Sequence, residues 1–241
     1  MSKLDLTSSD PSASAADRVY DDVKELILTN ALAGGELISE GEIAQRCEVS
    51  RTPVREAFLR LQAEGWMRLY PKRGALVVPV TRREVRDVVE ARKLIEGHAV
   101  REVVAGDTAA RALADALAGN VEDHRAVDPA DLAAFARVDA EFHRLIVAAG
   151  DNAVLADIYT GLGERHRRMT TASVHRDPLV GERILRDHTE LLTAIADRDA
   201  AAFDHILARH LADVHDLPVP HPHPIPESTS REGRDERGGT P

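Results

Sequence analysis

Residues 50–57 read SRTPVREA, and the stretch around them decides the fold of the N-terminal part of this 241-residue chain. Ser50 stands where a helix N-cap is expected, and Pro53 is tolerated in a first helical turn, where backbone N–H groups lack partners. At about 100° per residue, one helix face collects the apolar side chains of Val54, Ala57, Phe58 and Leu61. Arg51, Thr52 and Arg55 project away from this face, near the start of the helix.

The segments on both sides complete a recognisable motif. A helix is predicted over residues 17–31, and Gly34-Gly35 ends it. Ser39 and Glu42 have the spacing of a capping box, which predicts a short helix to about residue 46. Apolar runs at 66–69 and 75–78 flank Pro-Lys-Arg-Gly at 71–74, which predicts a β-hairpin with a basic tip. Two short helices and a hairpin indicate a winged helix-turn-helix.

Charge and histidine divide the chain into two parts. The net charge of −10 argues against a nucleic-acid partner, but residues 51–73 carry six basic residues against two acidic ones. Residues 81–217 carry 18 basic residues against 25 acidic ones, and all 11 histidines follow residue 97. We therefore predict a winged helix-turn-helix domain over 17–80 and a second domain over 81–217. The polar start, 1–16, and the Pro- and Gly-rich tail, 218–241, are predicted to be disordered.

The run 50–57, followed by Leu61 and Glu64-Gly65, resembles the signature of the GntR family of bacterial transcription regulators. The resemblance implies a homodimer that binds double-stranded operator DNA. It implies DNA contacts from the helix and from the wing, at Arg51, Thr52, Arg55, Lys72, Arg73 and Gly74. Two positions depart from the family pattern: Gly34-Gly35 replaces the usual Pro-Gly, and Gly41 stands where some members place an arginine.

The second part is predicted to be an all-helical antiparallel bundle, so the chain as a whole is mainly α. The 3.6-residue period persists, and six helices are expected, over 81–105, 108–126, 129–149, 152–172, 178–197 and 199–216.

Polar residues inside the apolar faces of this bundle are the candidate site. Asp139 and His143 are four residues apart and point the same way, and His188 and His210 lie centrally on two further helices. Burying a carboxylate costs several kcal/mol unless it is paired or bound to a metal. One carboxylate and three imidazoles therefore form a candidate divalent-metal site. Histidines that are simply hydrogen-bonded in the core remain the alternative.

The pattern Asp139-x-x-Phe142-His143, with His188 and His210-Leu211, resembles the FCD domain of the FadR-like GntR subfamily. Members with this aspartate and three histidines bind zinc, nickel or manganese, so the resemblance implies such a cofactor here. Six helices resemble the VanR branch of that subfamily.

A divalent ion beside one carboxylate leaves a charge of about +1 with open coordination positions, which favours a small organic-acid effector. Arg92 lies within an apolar face and needs a partner. Glu96, four residues on, can supply it, and an effector carboxylate is the second interpretation. In the family, an arginine at the matching position often lines the pocket. His166 lies on another apolar face, as pocket lining or as a plain core residue.

The favoured function is therefore a DNA-binding regulator controlled by an organic acid. A regulator for which the metal itself is the signal is the alternative, and a metal-dependent hydrolase or isomerase is less favoured because HExxH and nucleophile-elbow motifs are absent. The single cysteine, Cys47, and a start without an apolar signal segment indicate the cytoplasm. No stretch approaches about 18 uninterrupted apolar residues, so no membrane partner is expected.

Overall fold

A computed structural model describes residues 13–217, over which nine helices and three short strands follow one another. The N-terminal part consists of α1 (Ala15–Leu28), β1 (Leu37–Ile38), α2 (Glu40–Arg46), α3 (Arg51–Ala63), β2 (Met67–Tyr70) and β3 (Gly74–Val77). The C-terminal part consists of α4 (Arg82–Val104), α5 (Asp107–Ala126), α6 (Leu132–Ala149), α7 (Ala153–Arg176), α8 (Leu179–Ala196) and α9 (Ala200–Val214). The predicted mainly α fold, with an N-terminal winged helix-turn-helix, is confirmed.

The helix-turn-helix is formed by α2 and α3. The predicted capping box is present: the Glu42 N–H donates to Ser39 Oγ over 3.1 Å, and the Ser39 N–H donates to the Glu42 carboxylate over 2.7 Å. Ser50 occupies the N-cap position of α3, but its side chain makes no capping hydrogen bond within the described chain. The predicted apolar face of α3 is buried, in a core that α1 and the hairpin share.

The wing belongs to a three-stranded antiparallel sheet in the order β1-β3-β2. The β2–β3 hairpin was predicted, whereas the two-residue strand β1 was not. Gly74 begins β3 with φ +108°, and a Cβ at this position would collide with the carbonyl oxygen of Ile38 in β1. Glycine is therefore required here for the close approach of two backbones, whatever else the wing does.

The six helices of the C-terminal part agree with the six that were predicted, with shifted ends. Helix α6 begins at Leu132 rather than residue 129, because the Asp131 side chain caps it by accepting from the Ala134 N–H. Helix α7 continues to Arg176, four residues beyond the predicted end. The core is shared by α4, α5, α6, α7, α8 and α9.

The predicted disordered start, 1–16, needs correction at its end. The first helix begins at Ala15, where Ser14 and Asp17 form a capping box, so residues 15 and 16 are helical. The rest of that prediction, over residues 1–12, and the predicted disordered tail, 218–241, lie outside the described residues.

Helix α7 packs against the N-terminal part as well as against the bundle. The Lys24 ammonium of α1 lies 2.7 Å from Glu164, and the Arg167 guanidinium lies 2.8 Å from Glu25. The Arg165 guanidinium lies over the Trp66 ring, 5.2 Å from its centre. Among the helices of residues 13–217, none is both long and apolar enough to cross a bilayer.

Candidate functional site

The four predicted metal ligands meet in the interior of the bundle. Helix α6 supplies Asp139 and His143, α8 supplies His188 and α9 supplies His210. Each offers one ligand atom, and these atoms all lie within 4.8 Å of one another. All four side chains are buried, at 1% exposure or less. Three separate helices thus bring one carboxylate and three imidazoles together, as their positions on the apolar faces predicted.

The unpaired atoms of this cluster fit a cation. Asp139 Oδ2 accepts from the Thr170 hydroxyl over 3.0 Å and lies 3.0 Å from His166 Nε2. Asp139 Oδ1 lies 3.3 Å from His188 Nε2, without the geometry of a hydrogen bond. These two atoms, His143 Nε2 and His188 Nδ1 have no hydrogen-bond partner among the described residues. Buried polar atoms are nearly always paired, so these four side chains form a donor set that could hold a metal ion.

Two buried carboxylates orient the imidazoles. Glu96 Oε2 lies 2.7 Å from His143 Nδ1, and Asp187 Oδ2 lies 3.3 Å from His210 Nδ1. Because an ionised carboxylate only accepts, each ring carries its proton on Nδ1 and keeps the Nε2 lone pair for the cluster. Neither contact was predicted. Asp187 directly precedes His188, and no periodicity rule places its side chain against a residue of α9.

The protonation states also suit metal binding. Burial lowers the pKa of His188 to about 4, against the opposing effect of Asp139. Burial and the charge of Arg92 hold the pKa of His143 well below its usual range. Burial raises the pKa of Asp139, but its contacts with His166 and His188 outweigh this and hold it well below its usual value. At neutral pH His143 and His188 are thus neutral imidazoles and Asp139 is an ionised carboxylate.

Arg92 has a partner and also has unused donors. Its Nε lies 2.8 Å from Glu96 Oε1 and 3.1 Å from the Tyr159 hydroxyl, which itself donates to Glu96 over 2.6 Å. Glu96 is therefore a partner of the Arg92 guanidinium, as the first of the two interpretations predicted. The guanidinium is nevertheless fully buried, and its Nη1 and Nη2 find no acceptor in the part of the chain that the structure describes. Two adjacent donors without acceptors match the two oxygens of a carboxylate.

His166 contacts a predicted metal ligand. Its Nε2 lies 3.0 Å from Asp139, and its Nδ1 lacks a partner within residues 13–217. His124 of α5, which was not predicted, is also buried, with its ring centre 5.7 Å from that of His188. It follows Leu117 and Val121 on a buried face, so the periodicity that identified His188 would have found it.

The predicted DNA contacts lie on one surface of the N-terminal part. A cleft of about 740 Å³ between α3 and the hairpin is lined by residues that include Arg51, Arg55, Lys72, Arg73 and Gly74. Thr52 is exposed near the start of α3. The Arg55 Nε and Nη2 donate to both carboxylate oxygens of Glu40, over 2.9 and 3.0 Å.

Gly41 of α2 lies beside an arginine of α3. A Cβ on Gly41 would lie 3.5 Å from an Arg51 guanidinium nitrogen, so the Arg51 cation lies next to this position.

Two family profiles match the chain: bacterial regulatory proteins of the gntR family over residues 15–77, and the FCD domain over residues 87–213. The HTH-type transcriptional repressor RspR of Escherichia coli (strain K12) is 28% identical over 210 residues, which cover 86% of this chain and 90% of that protein. The gluconate operon transcriptional repressor of Bacillus subtilis (strain 168) is 28% identical over 210 residues, 85% of each chain.

Solved structures show the same fold. A putative transcriptional regulator GntR from Rhodococcus sp. RHA1 superposes with a TM-score of 0.65 at 21% identity, over 85% of this chain and 97% of that one. E. coli McbR/YncC superposes with a TM-score of 0.63 at 22% identity, over 83% of this chain and 95% of that one.

Proposed function

This chain belongs to the GntR family of bacterial regulatory proteins, as a DNA-binding transcriptional regulator with an FCD domain, and from that premise we propose that a small organic acid, bound at a divalent-metal site in the helical domain, controls its affinity for operator DNA. We propose the winged helix-turn-helix domain over the predicted residues 17–80, extended to Ala15 by the observed start of α1, and the effector domain over residues 81–217. The named relatives include repressors, which favours repression as the output of this protein too.

The observation that carries the proposal is the set of buried donors and acceptors that lack partners within residues 13–217. Asp139 Oδ1 and His143 Nε2 need a cation, whereas Arg92 Nη1 and Nη2 need an anion. Glu96 joins the two groups, because it contacts both His143 and Arg92. A metal-bound carboxylic acid supplies a cation and an anion in one complex, so it satisfies both needs at once.

Asp139, His143, His188 and His210 are the residues that would hold the ion. Imidazole and carboxylate donors suit zinc, nickel or manganese. When bound, such an ion adds positive charge and open coordination positions that attract carboxylate and hydroxyl oxygens. Arg92 binds the far end of the acid, and His166 both orients Asp139 and lines the pocket.

The operator contacts are proposed at Arg51, Thr52 and Arg55 of α3 and at Lys72, Arg73 and Gly74 of the wing. The basic cleft between these elements supports this surface. Glu40 holds the Arg55 guanidinium in a bidentate pair, which restricts its rotamers before DNA arrives.

A homodimer is proposed because α4 and α7 expose apolar side chains. Leu94 is 72% exposed, Val154 68% and Ile158 54%. The two helices are in contact through Arg92 and Tyr159, close in sequence to Leu94 and Ile158, so these side chains lie on neighbouring helices. Exposed apolar side chains on neighbouring helices are typical of a subunit interface.

The test is a metal and ligand titration of the purified protein. We expect about one divalent ion per chain, and loss of that ion in His188→Ala and His210→Ala. Metal-loaded protein is then titrated with a panel of carboxylic acids and their amides, and operator affinity is measured on DNA selected in vitro. Acids should change DNA affinity in the wild type and not in Asp139→Ala, which should still bind DNA.

Two results would decide against the proposal. A response to metal without any acid would establish the metal as the signal, and a response only to neutral or cationic compounds would rule out the metal-carboxylate mechanism. A hydrolase or isomerase finds no support among the relatives, which are transcription regulators.

A further inference from the structure

The candidate site is sealed from solvent. Arg92, Asp139, His143 and His188 are fully buried, and His166 and His210 are exposed by only 1%. An ion or a small acid that exchanges with this site must therefore pass through a part of the bundle wall that opens.

The end of α9 lies between the candidate site and a surface pocket. The imidazole centres of His143 and His166 are 5.3 Å apart, and the next ring outward, His215, lies 6.0 Å from His166. His215 also lines a surface pocket of about 220 Å³, together with Arg82, Ser173 and Arg176. His215 thus separates this pocket from His166, and His166 in turn contacts the candidate metal ligand Asp139.

Three other surface pockets in the described part of the chain do not reach the cluster. They lie beside Glu84 and Arg165, between α3 and the wing, and beside Arg125 and Thr189, and no residue of the cluster lines any of them.

The His215 side chain is weakly held. Its Nδ1 lies 3.4 Å from the Ser173 hydroxyl, at the long limit of a hydrogen bond, and its Nε2 has no partner in residues 13–217. His215 is the C-cap residue of α9, inside the turn that the Leu217 N–H closes on the Ala212 carbonyl. Rotating its side chain therefore breaks one long hydrogen bond and the edge-to-face contact with His166, and it leaves the backbone bonds of α9 in place.

The charged residues of the pocket outside His215 favour an anionic ligand. Arg82 and Arg176 line it against the single acidic residue Asp216, and it includes the first residues of α4, whose N-terminal end carries partial positive charge. Val80, Val85 and Met169 supply apolar walls.

We propose that this pocket is the access route to the buried site and that His215 is its gate. The inference rests on the proposed function, since it concerns exchange with the metal cluster. It also adds to that function: a gate controls how fast the site fills and empties and leaves the equilibrium affinity unchanged, since both rates change by the same factor.

The test uses Co²⁺ as the probe metal, followed by its visible absorption, and pyridine-2,6-dicarboxylate as a small anionic chelator. His215→Ala opens the gate, so metal uptake and chelator-driven release should both become about tenfold faster, with the Co²⁺ dissociation constant unchanged within about twofold. Ala172→Trp narrows the same pocket from α7 and should slow both rates. His175→Ala removes an exposed histidine of α7 and serves as the matched control with wild-type rates.

Each outcome is decisive. Wild-type rates in His215→Ala, or no slowing in Ala172→Trp, would refute the gate while leaving the metal site intact. A dissociation constant raised by tenfold or more in His215→Ala would make His215 part of the binding site instead. A wild-type protein that takes up no Co²⁺, Zn²⁺ or Ni²⁺ would refute the metal site itself, and the gate with it.

Discussion

Glu96 is the residue whose replacement tests the buried network most directly. Its two carboxylate oxygens accept hydrogen bonds from three groups: the Arg92 guanidinium at 2.8 Å, the Tyr159 hydroxyl at 2.6 Å and His143 Nδ1 at 2.7 Å. In Glu96→Gln one acceptor oxygen becomes an N–H₂ donor. With the amide nitrogen toward Arg92 and Tyr159, a donor faces donors, and with it toward His143 the ring can accept only by moving its proton to Nε2.

The magnitude follows from what is left unpaired. If the amide nitrogen faces His143, the ring must carry its proton on Nε2 and cannot bind a metal through that atom. In both orientations the fully buried Arg92 guanidinium loses its counter-charge, which costs about 3–5 kcal/mol. We expect the free energy of unfolding of the metal-free protein to fall by about 3 kcal/mol. Loss of an outer partner of a ligating histidine weakens metal binding about 10- to 100-fold.

The assays are denaturant unfolding in the presence of a chelator and competition titration of the metal. Glu102→Gln, an exposed position on the same helix, is the matched control and should behave as wild type. If Glu96→Gln unfolds within about 0.5 kcal/mol of wild type and binds metal equally well, the network does not orient His143 or stabilise Arg92.

The same variant has a pH signature. Burial raises the pKa of Glu96, but Arg92 and His143 outweigh this and hold it well below the ordinary value. A carboxyl group with a lowered folded-state pKa stabilises the protein above its unfolded pKa of about 4.3, and this contribution is lost as the pH falls below that value. The stability difference between wild type and Glu96→Gln should therefore be largest near neutral pH and shrink below about pH 4.

Two further predictions concern the proposed partners. Arg55→Ala should weaken operator binding by about 1–3 kcal/mol in gel-shift titrations at fixed salt, whereas Arg60→Ala, which removes another arginine of α3 that pairs with Asp17 of α1, should not; equal losses would remove Arg55 from the base-reading role. Leu94→Asp with Ile158→Asp should convert a dimer to a monomer in light scattering, because each places a charge at an exposed apolar residue of the proposed interface, and an unchanged mass would place the interface elsewhere.

The periodicity of the sequence was sufficient to locate the elements and the inward-facing residues. Val54, Ala57, Phe58 and Leu61 are buried as predicted, and Asp139, His143, His188 and His210 converge as their helix faces required. These outcomes depend on which way a residue points from its own helix, and spacing along the chain determines that direction.

The residues that were missed depend on contacts between helices. Asp187 faces His210 of α9, and Thr170 of α7 donates to Asp139 of α6. Spacing along the chain does not specify how two packed helices are rotated relative to each other, so it could not predict these contacts. Strand β1 was missed because two residues show no period, and its pairing depends on Gly74, which lies far along the chain. Local pattern predicts faces, whereas packing decides which faces meet.

Helix α7 shows how such packing can connect a buried site to a DNA-binding domain. Tyr159, His166 and Thr170 point into the bundle, where they contact Glu96 and Asp139. Glu164 and Arg167 of the same helix point outward, and each forms an ion pair with a residue of α1. A helix is stiff over this length, so a shift of its inner face on ligand binding also moves the contacts of its outer face. Thermodynamic linkage then requires the reverse effect. If a ligand at the buried site changes the affinity for DNA by some factor, DNA binding must change the affinity of the buried site for that ligand by the same factor.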